Sequence, residues 1–172
     1  SVQCSLRSLV HVRCALWLCN DDLTQYMPAC CYRPALGPRH LCMRAHSCPM
    51  QGPFDGVVGF SQGAMLGALL CADNRFDLRI CILVSGFVPR APELRPRFDV
   101  MSQGAGIDMP SLHVMGTADT LVPPAGSREL SLSFAEHKRS VFEHDGGHVV
   151  PSNKEARTRI RDWIQEQAAS LV

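Results

Sequence analysis

The sequence of 172 residues lacks a long apolar run and lacks an excess of either charge. Its apolar stretches, such as ICILV at 80–84, are far shorter than the roughly 20 residues that a helix needs to cross a bilayer. Lys and Arg number 17 and Asp and Glu 16, so the formal charge of +1 creates no field that attracts nucleic acid or an anionic membrane. We therefore expect neither a membrane span nor a nucleic-acid partner. Because no signal peptide is evident, we also expect a cytoplasmic location.

The first 50 residues contain no Glu and no Lys, and their only acidic residues are Asp21 and Asp22. This segment holds seven of the nine cysteines and is interrupted by prolines at 28, 34, 38 and 49, which disfavour both helices and central strands. Within it, only residues 5–19 have the composition of a strand or a short helix. We therefore expect residues 1–50 to be an atypical, weakly structured Cys/Pro-rich segment that precedes the folded domain at 51–172.

The cysteines do not fit a disulfide framework, because their number is odd and the chain is long enough to bury its own core. Zinc sites usually contain paired C-x₂₋₄-C spacings. The stretch HLCMRAHSC at 40–48 offers only the loosely spaced His40, Cys42, His46 and Cys48. We expect mostly reduced thiols and no metal, with zinc binding by this stretch as the alternative.

From Phe54 onward, apolar strand-like runs alternate with helical segments. This alternation predicts an α/β fold in which helices cover both faces of a parallel sheet. Strands are predicted at 54–60, 78–86, 111–116 and 140–144, and helices at 61–72, 123–137 and from about Asn153. Ser152 and Glu155 form a candidate capping box for the last helix. The Pro-rich connection at 88–110 resists prediction.

The stretch GVVGFSQGAML at 56–66 contains Gly59, Ser61 and Gly63 in the pattern G-x-S-x-G. In this pattern the serine lies on a sharp turn between a strand and a helix, and the glycines avoid collisions with the neighbouring chain. An apolar strand leads into the turn and a helix with small residues follows it, which favours a nucleophile elbow over an ordinary glycine-rich helix start. Ser61 is therefore a candidate nucleophile, which needs a base and an acid to hold the base.

His148 is the favoured base, because it follows two glycines after a predicted strand, in a loop above the strand ends. His144, at the end of that strand, is the alternative, and His113 is expected in the core. Asp119 is the favoured acid, because it follows the strand at 111–116 and the order Ser, Asp, His is that of the α/β-hydrolase topology. The rival acids are Asp99, Asp108 and Asp145.

Four stretches resemble the FSH-type family of serine hydrolases over residues 52–172: GPFDGVVGFSQGA, ILVSGFVP, PSLHVMGTADTLVP and HDGGHVVP. The resemblance implies that residues 51–172 are the C-terminal part of an α/β-hydrolase domain with esterase or thioesterase activity on a small-molecule substrate, without a cofactor. It also implies that Ser61 is the nucleophile, His148 the base and Asp119 its partner. The backbone N–H of Gln62 would then be one oxyanion donor.

Members of this family begin with a strand that ends in a His-Gly type loop, the source of the second oxyanion donor, and residues 1–50 contain no match to it. We therefore expect a sheet without the N-terminal strands and turnover weaker than that of a complete family member. We also expect self-association through the unpaired edge of the strand at 54–60. The alternative function is a non-catalytic remnant or binding module of the same fold.

Overall fold

The computed structural model describes residues 15–18, 55–73 and 77–169 of the chain. Five strands in these ranges form one parallel sheet, and their order in the sheet is their order along the chain. They are β1 (Ala15–Leu18), β2 (Gly56–Phe60), β3 (Ile80–Val84), β4 (Ser111–Gly116) and β5 (Arg139–His144). Because all five run in the same direction, the loops that follow them emerge at the same end of the sheet, where the carboxyl ends of the strands lie.

Helices cover both faces of this sheet, which confirms the predicted α/β fold. They are α1 (Gln62–Cys71), α2 (Arg95–Gln103), α3 (Pro124–Ser131) and α4 (Lys154–Ala169). In β3, Cys81 and Leu83 belong to the buried cluster under the first three helices, whereas Ile82 and Val84 belong to the cluster under α4. This alternation is the period of two that a strand buried on both faces requires.

The four strands predicted after Phe54 are confirmed as β2 to β5, with ends within two residues of the predicted ones. The helix predicted at 123–137 is too long, because α3 ends at Ser131 and the backbone of Phe134 pairs instead with Ile107. The connection at 88–110 contains α2, which the sequence pattern does not indicate. Phe98 is the one buried residue of that helix, so no apolar stripe marks it.

The start of α4 corrects the predicted capping box. The Oδ1 atom of Asn153 accepts a hydrogen bond from the Ala156 N–H at 2.8 Å, so Asn153 caps the helix in place of Ser152. Trp163 and Ile164 of this helix are buried against the sheet.

The edge of β2 that was expected to be unpaired is covered by β1. The two strands are in parallel register from Ala15 opposite Gly56 to Leu18 opposite Gly59. The expectation of a bare edge at 54–60 is therefore wrong. Residues 15–18 are all apolar, which suits a strand that joins a buried parallel sheet. The rest of residues 1–50 lies outside the described ranges, so their weak structure stays a prediction.

Candidate active site

Ser61 lies on the sharp turn between β2 and α1. Its backbone angles, φ 56° and ψ −118°, are ones that a side-chain-bearing residue rarely adopts. The turn is held from both sides: the Ser61 N–H donates to the Val84 carbonyl at 2.9 Å, and the Ser61 carbonyl accepts from the Ala64 N–H at 3.0 Å. A Cβ at Gly59 would collide with the backbone of Gly63. The glycine before the serine is therefore needed for the close approach of strand and helix.

His148 lies between Ser61 and Asp119. Its Nε2 atom is 3.0 Å from the Ser61 Oγ, and its Nδ1 atom is 2.7 Å from the Asp119 Oδ2. The ring also packs against Phe60, with ring centroids 4.8 Å apart. These contacts determine the tautomer: Nδ1 carries the proton that it donates to the carboxylate, which leaves Nε2 free to accept the serine proton.

The Asp119 carboxylate is buried and saturated with donors. Its second oxygen, Oδ1, accepts hydrogen bonds from the Leu121 N–H at 3.0 Å and the Val122 N–H at 2.8 Å. Burial by itself raises the pKa of Asp119, but the Val122 N–H, the His148 ring and the Ser85 hydroxyl together lower that pKa below its ordinary value. Asp119 is therefore held as a carboxylate beside the histidine.

Ser85 is a neighbour of this site that sequence reasoning missed. It follows β3 directly, is fully buried, and has a positive φ of 47°. Its hydroxyl has no partner at full hydrogen-bond geometry within the described ranges, yet it lies close enough to Asp119 to help lower the pKa of that carboxyl. Its position in the sequence could have revealed it. A polar residue directly after an apolar strand lies at the same end of a parallel sheet as Ser61.

The rival side chains have other partners. His144 Nδ1 accepts a hydrogen bond from the Gly146 N–H at 3.1 Å. His113 is buried in the core, as predicted, and desolvation together with the nearby Arg139 lowers its pKa to about 3. The rival acids are also engaged or exposed: Asp99 pairs with Arg95, Asp108 with Lys138 and His137, and Asp145 is exposed.

Gln62 is the first residue of α1, a position whose N–H has no acceptor within its own helix. The partial positive charge of the helix N-terminus adds to this N–H as a site for developing negative charge next to Ser61. Gly63, the second glycine of the motif, is buried in the first turn of the same helix.

No cluster of three or more His, Cys, Asp or Glu side chains is placed to hold a metal ion in the part of the chain that the structure describes. The alternative zinc ligands, His40, Cys42, His46 and Cys48, lie outside it. Among the described helices, none combines the length and the apolar character that crossing a membrane demands.

A cavity of about 660 Å³ lies away from Ser61, at the end of the sheet where the amino ends of β3 and β4 lie. It is lined by the end of α1, the end of α2 and the segments that precede β3 and β4. The hydrogen-bonded arrangement around Ser61, and not the size of a depression, therefore identifies the candidate site.

The sheet order and the elbow at the end of β2 are those of the α/β-hydrolases. The chain belongs to the serine hydrolase (FSH1) family, whose model matches residues 21–160. This match begins well before residue 52, where the resemblance in motifs begins.

Relatives with curated names agree with this assignment. Over 123 residues the chain is 45% identical to the esterase OVCA2 of Bos taurus. The matched region covers 68% of this chain and 52% of the length of that esterase. Over 125 residues it is 34% identical to the protein named family of serine hydrolases 2 of Saccharomyces cerevisiae. That match covers 67% of this chain and 54% of the yeast protein. The chain thus spans about half the length of the curated relatives it matches.

A solved structure shows the same fold at low identity. The zinc-bound structure of a cold-adapted esterase from an Arctic intertidal metagenomic library matches with a TM-score of 0.55 and 19% identity. The match covers 68% of this chain and 51% of that one.

Proposed function

We propose that this chain cleaves carboxylic esters or thioesters through an acyl-enzyme formed on Ser61. The observation that supports the proposal is the continuous chain of hydrogen bonds from Ser61 Oγ through both nitrogens of His148 to Asp119, with separations of 3.0 and 2.7 Å. Membership of a serine hydrolase family supports the same chemistry, and a relative named as an esterase favours an ester substrate.

In the acylation half of the reaction, His148 Nε2 removes the hydroxyl proton of Ser61 while Oγ attacks the carbonyl carbon of the substrate. The carbonyl oxygen takes up the negative charge in the tetrahedral intermediate. When the bond to the leaving group breaks, the imidazolium returns its proton to the departing alcohol or thiol. Asp119 stays ionised throughout and stabilises the positive ring, a role that its lowered pKa supports.

In the deacylation half, a water molecule takes the place of the leaving group. His148 Nε2 removes a proton from this water as its oxygen attacks the acyl carbon. When the second tetrahedral intermediate collapses, the bond from the acyl carbon to Ser61 Oγ breaks and the imidazolium returns the proton to Oγ, which releases the carboxylic acid and regenerates Ser61. The Gln62 N–H is the proposed oxyanion donor in both halves. One missing donor at such a site typically costs a factor of about 10² to 10³ in turnover, so a second donor determines how fast the chain works.

The proposal is tested by intact-mass spectrometry of the protein after exposure to a fluorophosphonate, a probe that phosphonylates activated serines. We expect one adduct on the wild type and none on Ser61→Ala. Ser102→Ala is the matched control, because Ser102 is an exposed serine on α2 whose hydroxyl contacts only the Asp99 carbonyl in the described ranges. This control should form the adduct at the wild-type rate.

Turnover of an aryl ester and of the matching aryl thioester then separates the two substrate classes. Ser61→Ala should lose a factor of about 10⁴ or more with either substrate, because members of a triad act as a unit. A wild-type protein that folds but forms no adduct would contradict the proposal. That result would favour the alternative function, a non-catalytic remnant or binding module of the same fold.

A further inference from the structure

His144 is a buried histidine that the proposed mechanism does not use. It is the last residue of β5, four positions before His148, and it is 9% exposed. Its Nδ1 atom accepts a hydrogen bond from the Gly146 N–H at 3.1 Å. An accepting Nδ1 requires that the proton of the neutral ring be on Nε2.

The Nε2 atom of His144 is buried and has no hydrogen-bond partner among the described residues. An unsatisfied buried N–H is unfavourable, so an apolar ring of the same size would suit the position better if only packing mattered. The ring does pack near Phe142, with centroids 6.4 Å apart. Within the described ranges, the one polar interaction of this side chain that a phenylalanine could not make is the hydrogen bond that Nδ1 accepts from the Gly146 N–H.

That hydrogen bond lies in the turn that precedes His148. The turn is fastened to the loop that carries Asp119 by three further hydrogen bonds. The His144 carbonyl accepts from the Thr117 N–H at 2.8 Å and from the Thr117 hydroxyl at 3.2 Å, and the Gly146 carbonyl accepts from the Ala118 N–H at 3.1 Å. Gly146 is thus held on its N–H by His144 and on its carbonyl by the Asp119 loop.

We propose that His144 is a positioning residue, whose Nδ1 atom holds the turn at 145–147 so that His148 meets Ser61 and Asp119 at once. The inference rests on the proposed function. A displacement of about 1 Å in a catalytic group is enough to lower turnover by about 100-fold, so one hydrogen bond in this turn has a large effect on the rate.

Three substitutions separate the ring nitrogens. His144→Asn has an amide oxygen at the position of Nδ1 and keeps the acceptor for Gly146. His144→Gln reaches the position of Nε2 and loses that acceptor, and His144→Phe keeps the ring volume without any nitrogen. We expect kcat for an aryl ester to fall about 10- to 100-fold in the Gln and Phe variants with KM unchanged, and to stay within a few-fold of wild type in the Asn variant.

A second readout does not depend on turnover. The proton between His148 Nδ1 and Asp119 gives a far-downfield proton resonance when the two groups are aligned. We expect this resonance in the wild type and in His144→Asn, and its loss or broadening in the Gln and Phe variants. If the wild type has no hydrolase activity, the resonance still tests the positioning role, so the two proposals fail separately.

Two outcomes would overturn the inference. Wild-type kcat and an unchanged resonance in the Gln or the Phe variant would show that the Nδ1 bond is dispensable. Loss of kcat in His144→Asn equal to that in the Phe variant, with all proteins folded by thermal melting, would show that the acceptor is not what matters. Retained activity in the Asn variant also excludes His144 as the base, because an amide cannot accept the serine proton.

Discussion

Two serines at the ends of neighbouring strands have strained backbones. Ser61 has a φ of 56° and Ser85 a φ of 47°. Both are buried at the carboxyl ends of their strands, where the candidate site lies. Such conformations cost about 1–3 kcal/mol each for a residue with a side chain and persist where the surrounding structure enforces them. The Ser61 N–H and the Ser85 N–H both donate into the next strand, to Val84 and Val114.

The strain at Ser61 predicts an unusual ranking of stability. Ser61→Gly should be more stable than Ser61→Ala by about 1–3 kcal/mol, because glycine adopts a positive φ without a steric cost. Neither variant should react with a fluorophosphonate. Urea unfolding of both proteins at the same pH measures the difference, and equal stabilities would show that the turn relaxes when the hydroxyl is absent.

His113 predicts a loss of stability in mild acid. Its ordinary pKa is 6.5 and burial, with Arg139 nearby, lowers it to about 3 in the folded protein. As the pH falls below about 6.5 the unfolded chain therefore binds a proton that the folded chain excludes until about pH 3, so stability decreases across that window. Between pH 7 and pH 5 this amounts to about 2 kcal/mol.

The control for this prediction is His113→Gln, whose amide does not titrate and still reaches the Ser111 hydroxyl, 3.1 Å from Nε2 in the wild type. Urea unfolding at pH 7 and pH 5 should show a change that is about 2 kcal/mol smaller in the variant. The same change in both proteins would mean that other groups determine the acid sensitivity.

At the scale of elements, the site is assembled by loops that follow four neighbouring strands. Ser61 follows β2, Ser85 follows β3, Asp119 lies just after β4, and His148 lies after β5. The last two loops approach each other closely at Gly116, where a Cβ would collide with the carbonyl oxygens of Gly146 and Gly147. The absence of a side chain at Gly116 therefore allows the Asp119 and His148 loops to meet.

Substitution of this glycine should damage both the fold and the site. Gly116→Ala should destabilise the protein by about 1–3 kcal/mol, because the added carbon meets backbone atoms that cannot rotate away. It should also slow the fluorophosphonate reaction, since the displaced backbone precedes His148. Thermal or urea unfolding and labelling kinetics measure the two effects.

Gly126→Ala is the matched control. It lies inside α3, and a Cβ there would be 3.8 Å from Val122 and 3.9 Å from Phe87, which are ordinary contacts. This variant should gain about 0.5–1 kcal/mol from the better helix propensity of alanine and keep its labelling rate. An equally tolerated Gly116→Ala would contradict the close approach of the two loops.

At the scale of the whole molecule, β1 is one edge of the described sheet and β5 the other. Without β1, the apolar β2 would present unpaired N–H and C=O groups, and such edges promote association between chains. The pairing joins residues about 40 positions apart in sequence, as Ala15 and Gly56 show. We therefore predict that loss of this long-range contact promotes self-association.

The double variant Leu16→Pro, Trp17→Pro tests this contact. Successive strand residues direct their N–H groups to opposite sides, so one of the two prolines removes a donor that faces β2. We expect the variant to form larger species in size-exclusion chromatography and light scattering. Lys154→Pro, at the first position of α4 where proline is tolerated, is the control and should behave as wild type does. An unchanged elution profile of the double variant would show that β1 does not protect β2.

The sequence alone determined the features that depend on neighbours along the chain. Alternation of apolar and helical segments after Phe54 was enough for the parallel sheet. The spacing of Gly59, Ser61 and Gly63, together with the apolar strand before it and the small-residue helix after it, indicated the sharp turn at Ser61. Asp119 and His148 followed from their positions just after predicted strands. The tertiary structure alone decided the features that depend on distant segments: which side chains meet His148 and His144, the proximity of Ser85 to Asp119, and the cover of β2 by β1. Local pattern carries the period of a strand or helix, whereas hydrogen-bond partners and sheet neighbours are selected by packing between parts of the chain that are far apart in sequence.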